Sequence, residues 1–237
     1  MEEEQLLKSG ERINQLFSTD IKIIQNREVF SYSVDSVLLS RFPRFPKKGL
    51  IVDFCAGNGA VGLFASTRTQ AQILSVEIQE RLADMAERSV RLNGLEEQMQ
   101  VICDDLKNMP AHIQGSKVDP YSNLNESEHY LLARHEITTN LEEICHSAQS
   151  ILKSNGRLAM VHRPDRLLDI LDTLKRHNLA PKRLQFVYPK REKEANMLLI
   201  EAIKDGSTSG FKVLPPLIVH NDDGSYTPEI EEIYYGS

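Results

Sequence analysis

The stretch Asp53-Phe-Cys-Ala-Gly57-Asn-Gly59-Ala-Val-Gly62 joins a carboxylate to three glycines at the spacing G-x-G-x-x-G. Such a loop lets backbone N–H groups approach a ligand, and a dinucleotide-binding fingerprint reads much the same. The carboxylate separates the readings. A pyrophosphate seeks helix N-terminal N–H groups with no negative charge nearby, and Asp53 just ahead of the loop repels it. A ligand with positive charge and no phosphate gains from the same group. Two more acids follow, Glu77 with Ile78 beside it and Asp105 in Cys103-Asp-Asp-Leu106. An ionised carboxylate offers two acceptor oxygens, so either acid could receive hydrogen bonds from a ligand's donors. Each feature alone has a plain alternative, a tight turn or a solvated acid. The three cysteines, Cys55, Cys103 and Cys145, lack metal-ligand spacing and read as reduced thiols; no metal site is expected.

The elements that must position these residues alternate between apolar strands and helices. Strands are expected at Leu50–Phe54, Ala71–Val76, Met99–Cys103 and Arg157–His162, with helices at Val61–Thr67, Gln79–Asn93, Glu126–Lys153 and Arg166–His177. Glu3–Leu16 and Val34–Ser40 read as further helices, and Ile21–Gln25 as extended. Strands apolar on both faces imply a parallel sheet covered by helices. Asp53, Glu77 and Asp105 then fall at successive strand ends, where open parallel sheets hold their ligands. The last two strands, Lys182–Tyr188 and Asn196–Lys204, are joined by only the short segment Pro189–Ala195. A parallel crossover needs about a dozen residues or more, so this pair is an antiparallel hairpin.

The fold class is therefore α/β, a mostly parallel sheet with an antiparallel C-terminal hairpin. It resembles the class I (Rossmann-like) fold of S-adenosylmethionine-dependent methyltransferases. That resemblance implies S-adenosyl-L-methionine as cofactor. Asp53, Ala56, Gly57 and Gly59 would form the loop, Glu77 and Ile78 would meet the ribose, and Asp105 and Leu106 the adenine.

Four more stretches resemble one family, the bacterial adenine-N6 methyltransferases that act on a valine tRNA in its anticodon loop. They are Val29-Phe-Ser-Tyr-Ser-Val-Asp-Ser-Val-Leu-Leu39, Ala133-Arg-His-Glu136, Val161-His-Arg-Pro-Asp-Arg166, and Phe186-Val-Tyr-Pro-Lys-Arg191 leading into Glu194-Ala-Asn196. With the glycine loop they span about residues 20 to 204. The resemblance implies that Phe30, Ser33 and Asp35 lie over the methionine end of the cofactor; an ordinary helix N-cap is the alternative for Ser33. His135, Glu136, His162 and Arg163 stand between structural polar contacts and substrate contacts.

One departure stands out. That family carries Asn-Pro-Pro-Tyr at the end of the fourth strand, where it holds and stacks a flipped adenine. Here the place reads Lys117-Val-Asp119-Pro120-Tyr121-Ser-Asn123, with no such motif and no strand of its own; a proline does not sit in a central strand. Losing a central strand would leave buried backbone groups unpaired, at several kcal/mol. The expectation is that residues are missing between about Asp119 and Asn123 and that the chain is properly longer. Pro120 and Tyr121 then belong to the surviving half of the catalytic motif in one register. If the chain is continuous there, a non-catalytic cofactor- or RNA-binding protein becomes the better reading. A protein glutamine N5-methyltransferase is the enzyme alternative, since that class uses the same motif on an amide.

The chain has 237 residues, 28 Lys and Arg against 34 Asp and Glu, and a formal net charge of −6. With 41% hydrophobic and 26% charged residues, its composition excludes a disordered, collagen-like or membrane-embedded chain. The acidic start MEEEQLLKSGER matches neither a signal peptide nor a transit sequence, so a cytoplasmic location is expected. Charge is unevenly spread. Residues 151–204 hold 12 Lys and Arg against 6 Asp and Glu, a net of +6 that leaves −12 elsewhere. Lys182-Arg183 and Tyr188-Pro-Lys190-Arg191 suit phosphate contacts and base stacking, so RNA is an expected partner; charge does not say which RNA, and the family resemblance implies tRNA. The organisation expected is an N-terminal segment over the cofactor site at 1–45, a methyltransferase domain at 46–205 and a C-terminal appendage at 206–237.

Overall fold

A computed structural model describes residues 3–15, 19–27, 32–115, 129–133 and 140–235. One large sheet organises the chain. Its strands are β3 (Leu50–Phe54), β4 (Gln72–Glu77), β5 (Met99–Cys103), β6 (His129–Ala133), β7 (Arg157–His162), β8 (Leu179–Lys190) and β9 (Met197–Lys204), with short β10 (Lys212–Val213) and β11 (Leu217–His220). A separate hairpin pairs β1 (Glu11–Gln15) with β2 (Lys22–Asn26). The large sheet runs β5-β4-β3-β6-β7-β9-β8, and β10 and β11 both pair with β8. Pairing is parallel from β5 to β7, and β9 is antiparallel to both β7 and β8. The expected C-terminal hairpin is present.

The strands form where alternate residues feed two different cores. In β3, Ile51 joins the apolar cluster on one face, while Leu50, Val52 and Phe54 join the cluster on the other. Helices α1 (Val34–Arg41), α2 (Ala60–Ser66) and α7 (Pro228–Tyr235) contribute to the first face. Helices α4 (Met109–Gly115), α5 (Leu141–Ile151) and α6 (Leu167–Arg176) contribute to the second. Helix α3 (Glu80–Leu92) carries Leu82 and Met85 toward a third cluster with Ile24 of the N-terminal hairpin.

Three expectations are corrected. Glu3–Leu16 is not a helix: a single 3-10 turn covers Glu3–Leu6 and β1 follows. Gly10 at φ +78° breaks the helical path, and the ladder from Glu11↔Asn26 to Gln15↔Lys22 takes over the backbone groups. Glu126–Lys153 is not one helix. Its described part divides into β6 and α5, although Leu131-Leu132-Ala133 favours a helix by composition. Pairing prevails because β6 lies between β3 and β7, matching Leu50↔His129 through Phe54↔Ala133 on one side and Tyr130↔Arg157 through Ala133↔Met160 on the other. Buried backbone donors and acceptors must be paired, and context overrides propensity in such a place.

The third correction follows. The central strand for which the sequence offered no residues is supplied by β6, between β3 and β7. The segment Asp119–Asn123 itself lies outside the described residues. The C-terminal appendage is tied into the sheet: β10 and β11 extend it beyond β8, and α7 packs against α1.

Candidate functional site

The chain leaves β3 at Phe54 and turns sharply, with Cys55 at φ 55° and Gly59 at φ 84°. These are left-handed backbone positions, which a side chain disfavours and glycine does not. The turn is stapled by the Ala56 N–H on the Val76 carbonyl at 3.0 Å and the Gly59 N–H on the Ala56 carbonyl at 2.9 Å. Gly59 is the N-cap of α2, so the loop delivers the chain onto a helix N-terminus.

Glu77 closes the other side. It ends β4 and is 1% exposed. One carboxylate oxygen accepts from the Gly57 N–H at 2.8 Å and the other from the Gln79 N–H at 2.8 Å. Each oxygen retains a second lone pair for a hydroxyl. Glu77 thus shapes the loop besides being available to a ligand, a structural duty that its spacing did not announce. Asp53 is fully buried in β3, in register with Ser75 of β4. Beyond β4, Ile78 is an apolar side chain left 51% exposed, a surface suited to a flat ring. Asp105 is half-buried and accepts the Lys107 N–H at 2.9 Å, and Leu106 beside it is buried. The Lys107 ammonium sits 3.9 Å from Asp105 and 2.7 Å from Glu143.

Three adjacent strands therefore bring Asp53, Glu77, Ile78 and Asp105 to one sheet edge, as their spacing led us to expect. Ser33 stands just before α1 with its hydroxyl bonded to the Asp35 carboxylate, which also accepts the Ser36 N–H at 2.9 Å. Ser33 occupies the N-cap position without making a side-chain capping bond. Helix α1 packs on α2, the helix opened by the glycine loop. Phe30, Pro120, Tyr121, His135 and Glu136 lie outside the described residues.

Sequence reasoning missed the clamp that holds the N-terminal hairpin here. Asn58, inside the glycine loop, donates to the Ile24 carbonyl of β2 at 3.1 Å. On α3, Ser89 accepts the Ile24 N–H at 3.0 Å, and Asn93 bridges both backbone groups of Lys22. Arg88 lies 2.6 Å from both Glu11 and Asp84, and the Arg88 and Glu11 side chains are 6% and 2% exposed. The paired guanidinium holds the Glu11 carboxyl below the usual carboxylate range. Asp84 is an i,i+4 neighbour of Arg88 on α3, but Glu11 lies 77 residues away and only the fold joins it to them.

The C-terminal cations behave differently. Arg157 lies 2.9 Å from the buried Glu201; Arg163, Arg166 and Arg176 pair with Asp165, Asp169 and Glu142. Arg183 stacks over the Phe42 ring at 4.6 Å and approaches Glu201 at 3.6 Å. Lys182 donates to the Ser207 and Ser209 carbonyls, and Lys190 to that of Asp222 at 3.0 Å. Phosphate contact by Arg183 is thus corrected: its charge is spent inside the fold. Among the described residues Lys175, Arg191 and Lys193 are exposed and form no ion pair. His162, buried at the end of β7, accepts the Arg163 N–H on Nδ1 at 2.8 Å.

No family model matches the chain. Among curated proteins, a tRNA1(Val) (adenine(37)-N6)-methyltransferase of Porphyromonas gingivalis is 26% identical over 82% of this chain and 83% of its own length. One of Bacteroides fragilis is 23% identical over 66% and 70%. Among solved structures, a predicted O-methyltransferase of Agrobacterium tumefaciens superposes with a TM-score of 0.70 at 22% identity, covering 86% of this chain and 96% of that one. A precorrin-6y C5,15-methyltransferase of Geobacter metallireducens gives a TM-score of 0.55 at 15% identity over 77% and 94%. This chain has the class I methyltransferase fold and is a homologue of the bacterial tRNA1(Val) adenine-N6 methyltransferases.

Proposed function

We propose that the protein is an S-adenosylmethionine-dependent methyltransferase that methylates N6 of an adenine in RNA, with a valine tRNA anticodon loop as the substrate its relatives point to. The observation that carries this is the alignment of Asp53, Glu77 and Asp105 on β3, β4 and the end of β5 around a turn whose shape Glu77 itself fixes. The donor set fits the cofactor: carboxylates for hydroxyl and amino groups, and the exposed Ile78 for a flat ring.

Bound there, S-adenosyl-L-methionine supplies an activated methyl group. We assign the ribose hydroxyls to Glu77, the adenine amino group to Asp105 beside Ile78 and Leu106, and the loop at Ala56, Gly57 and Gly59 to close backbone contact. Buried Asp53 supplies negative potential under a cationic ligand. Ser33 and Asp35, with Phe30, are assigned to the methionine end, and Pro120 and Tyr121 to the target base. A tRNA substrate, as in the relatives' names, agrees with the cytoplasmic site of action expected from the sequence. Among the described residues no helix is long and apolar enough to cross a membrane.

The test is transfer of a radiolabelled methyl group to total tRNA and to total protein, followed by nucleoside analysis. Label recovered as N6-methyladenosine supports the reading. Label in glutamine of protein would replace it with the N5-methyltransferase. Cofactor binding with no transfer to either would make the chain a binding protein, as the missing Asn-Pro-Pro-Tyr suggests.

A further inference from the structure

At the far end of the same sheet edge lies a cavity of about 500 Å³, lined by Arg191, His220, Asn221, Asp222, Thr227 and Glu229 among others. Its place follows from topology. Strand β8 is antiparallel to β9, which is antiparallel to β7, so β8 runs with the parallel strands and ends at Lys190 on the edge where they end. Strand β11, parallel to β8, ends there too, at His220. From β3 to β8 is four strand spacings, about 19 Å at about 4.8 Å each.

The walls are firmly built. Asn221 donates its side-chain amide to the Ser225 hydroxyl at 3.0 Å and the Tyr226 carbonyl at 2.9 Å. Thr227 donates to the Ile218 carbonyl at 2.7 Å, and Lys190 ties the end of β8 to Asp222. Behind the cavity, His220 stacks on Tyr226 with ring centroids 5.0 Å apart, and Tyr226 on Tyr234 at 5.2 Å. His220 Nδ1 is buried and has no hydrogen-bond partner among the described residues. Arg191 is exposed and forms no ion pair among them, and Glu229 is likewise exposed at the rim.

We propose that this cavity is a second RNA subsite, taking one unpaired nucleotide a few positions from the methylated adenine. The chemistry matches a nucleotide better than a bare anion or an apolar group. Arg191 offers forked donors to a phosphate. The Glu229 carboxylate offers acceptors to a base amino group, and the stacked His220 gives a rigid wall for the base. The cavity lies about 19 Å along the sheet from β3, the strand that leads into the cofactor loop, which leaves room for a short single-stranded run between the two sites. The inference rests on the RNA reading of the main site and deepens it.

Binding of guanosine 5′-monophosphate to the full chain, saturated with S-adenosylhomocysteine to block the cofactor's adenine site, tests it without any methyl transfer. Tyrosine fluorescence is the readout, since the chain has 7 Tyr and 0 Trp. Binding to the wild type that weakens about tenfold in Arg191→Ala, and also falls in Glu229→Gln, supports the subsite. Affinity unchanged in both variants, or no binding by the wild type, overturns it. A companion assay of labelled tRNA reads the main proposal separately. If tRNA is methylated while the nucleotide finds no cavity, only the subsite falls; if the nucleotide binds and no RNA is methylated, a nucleotide site stands but its assignment to substrate RNA falls with the main reading.

Discussion

The two ends of the sheet use charge in opposite ways. Around β3, β4 and β5 the carboxylates are few and buried or half-buried, and Glu77 is bonded to backbone N–H groups that set the loop. Around β7, β8 and β9 charges are many, yet most neutralise one another or tie down the tail: Arg157 and Arg183 converge on Glu201, and Lys182 and Lys190 hold backbone carbonyls. A net regional charge is therefore a poor guide to an RNA surface. What matters is which cations remain unpaired, here Arg191 and Lys193 in the β8–β9 turn and Lys175 on α6.

If the cofactor end depends on a few committed groups, changing them should have the largest effects. Asp53→Ala with Glu77→Ala is expected to abolish methyl transfer to tRNA. Glu77→Ala alone should weaken S-adenosylhomocysteine binding about 10- to 100-fold by calorimetry, the scale of a charged hydrogen bond at about 1.5–3 kcal/mol. Transfer that survives both would dissolve the contrast.

The clamp comes next. Arg88→Ala strands the buried Glu11 carboxylate, and urea unfolding should show a loss of about 3–5 kcal/mol. Gly62→Ala places a methyl 2.7 Å from Met99 Cε and 2.9 Å from Ser75 Oγ, an overpacking of about 1–3 kcal/mol in the same measurement.

A smaller effect is read against pH. Because its pairing with Arg88 depresses the Glu11 carboxyl below its ordinary 4.5, the stability it contributes is full above that value. It is lost as pH falls through the depressed one. Melting curves from pH 7 to 3 should therefore steepen in the wild type below about pH 4.5 and flatten in Glu11→Gln. Smallest is the effect of single surface cations. Lys193→Ala should reduce the salt slope of tRNA binding by about 1 and leave stability unchanged, whereas Arg183→Ala should lower the melting temperature, because its guanidinium is packed on Phe42.

The cofactor end was the more legible part in the sequence for a physical reason. Leu50–Phe54 and Met99–Cys103 match the observed strands residue for residue, since short apolar runs bounded by turn residues leave little choice. Asp53, Glu77 and Asp105 follow from strand ends alone. What escaped depends on distance in sequence. β6 has a helix-like composition and becomes a strand only because β3 and β7 flank it. Gly10 turns the N-terminal helix expectation into β1, whose partner lies beyond a further loop. The Arg88–Glu11 pair and the His220–Tyr226–Tyr234 stack join residues with no periodic relation.

The last strands of the tail have a consequence for the life of the molecule at high concentration. By pairing with Arg183 and Leu184 through β10, and with Val187, Tyr188 and Lys190 through β11, they cover the outer rim of β8. An uncovered rim of twelve residues would be a template for a neighbouring chain. The tail thus works as a guard against edge-to-edge self-association, and a proteolytic cut near Gly206 would bare the rim of β8.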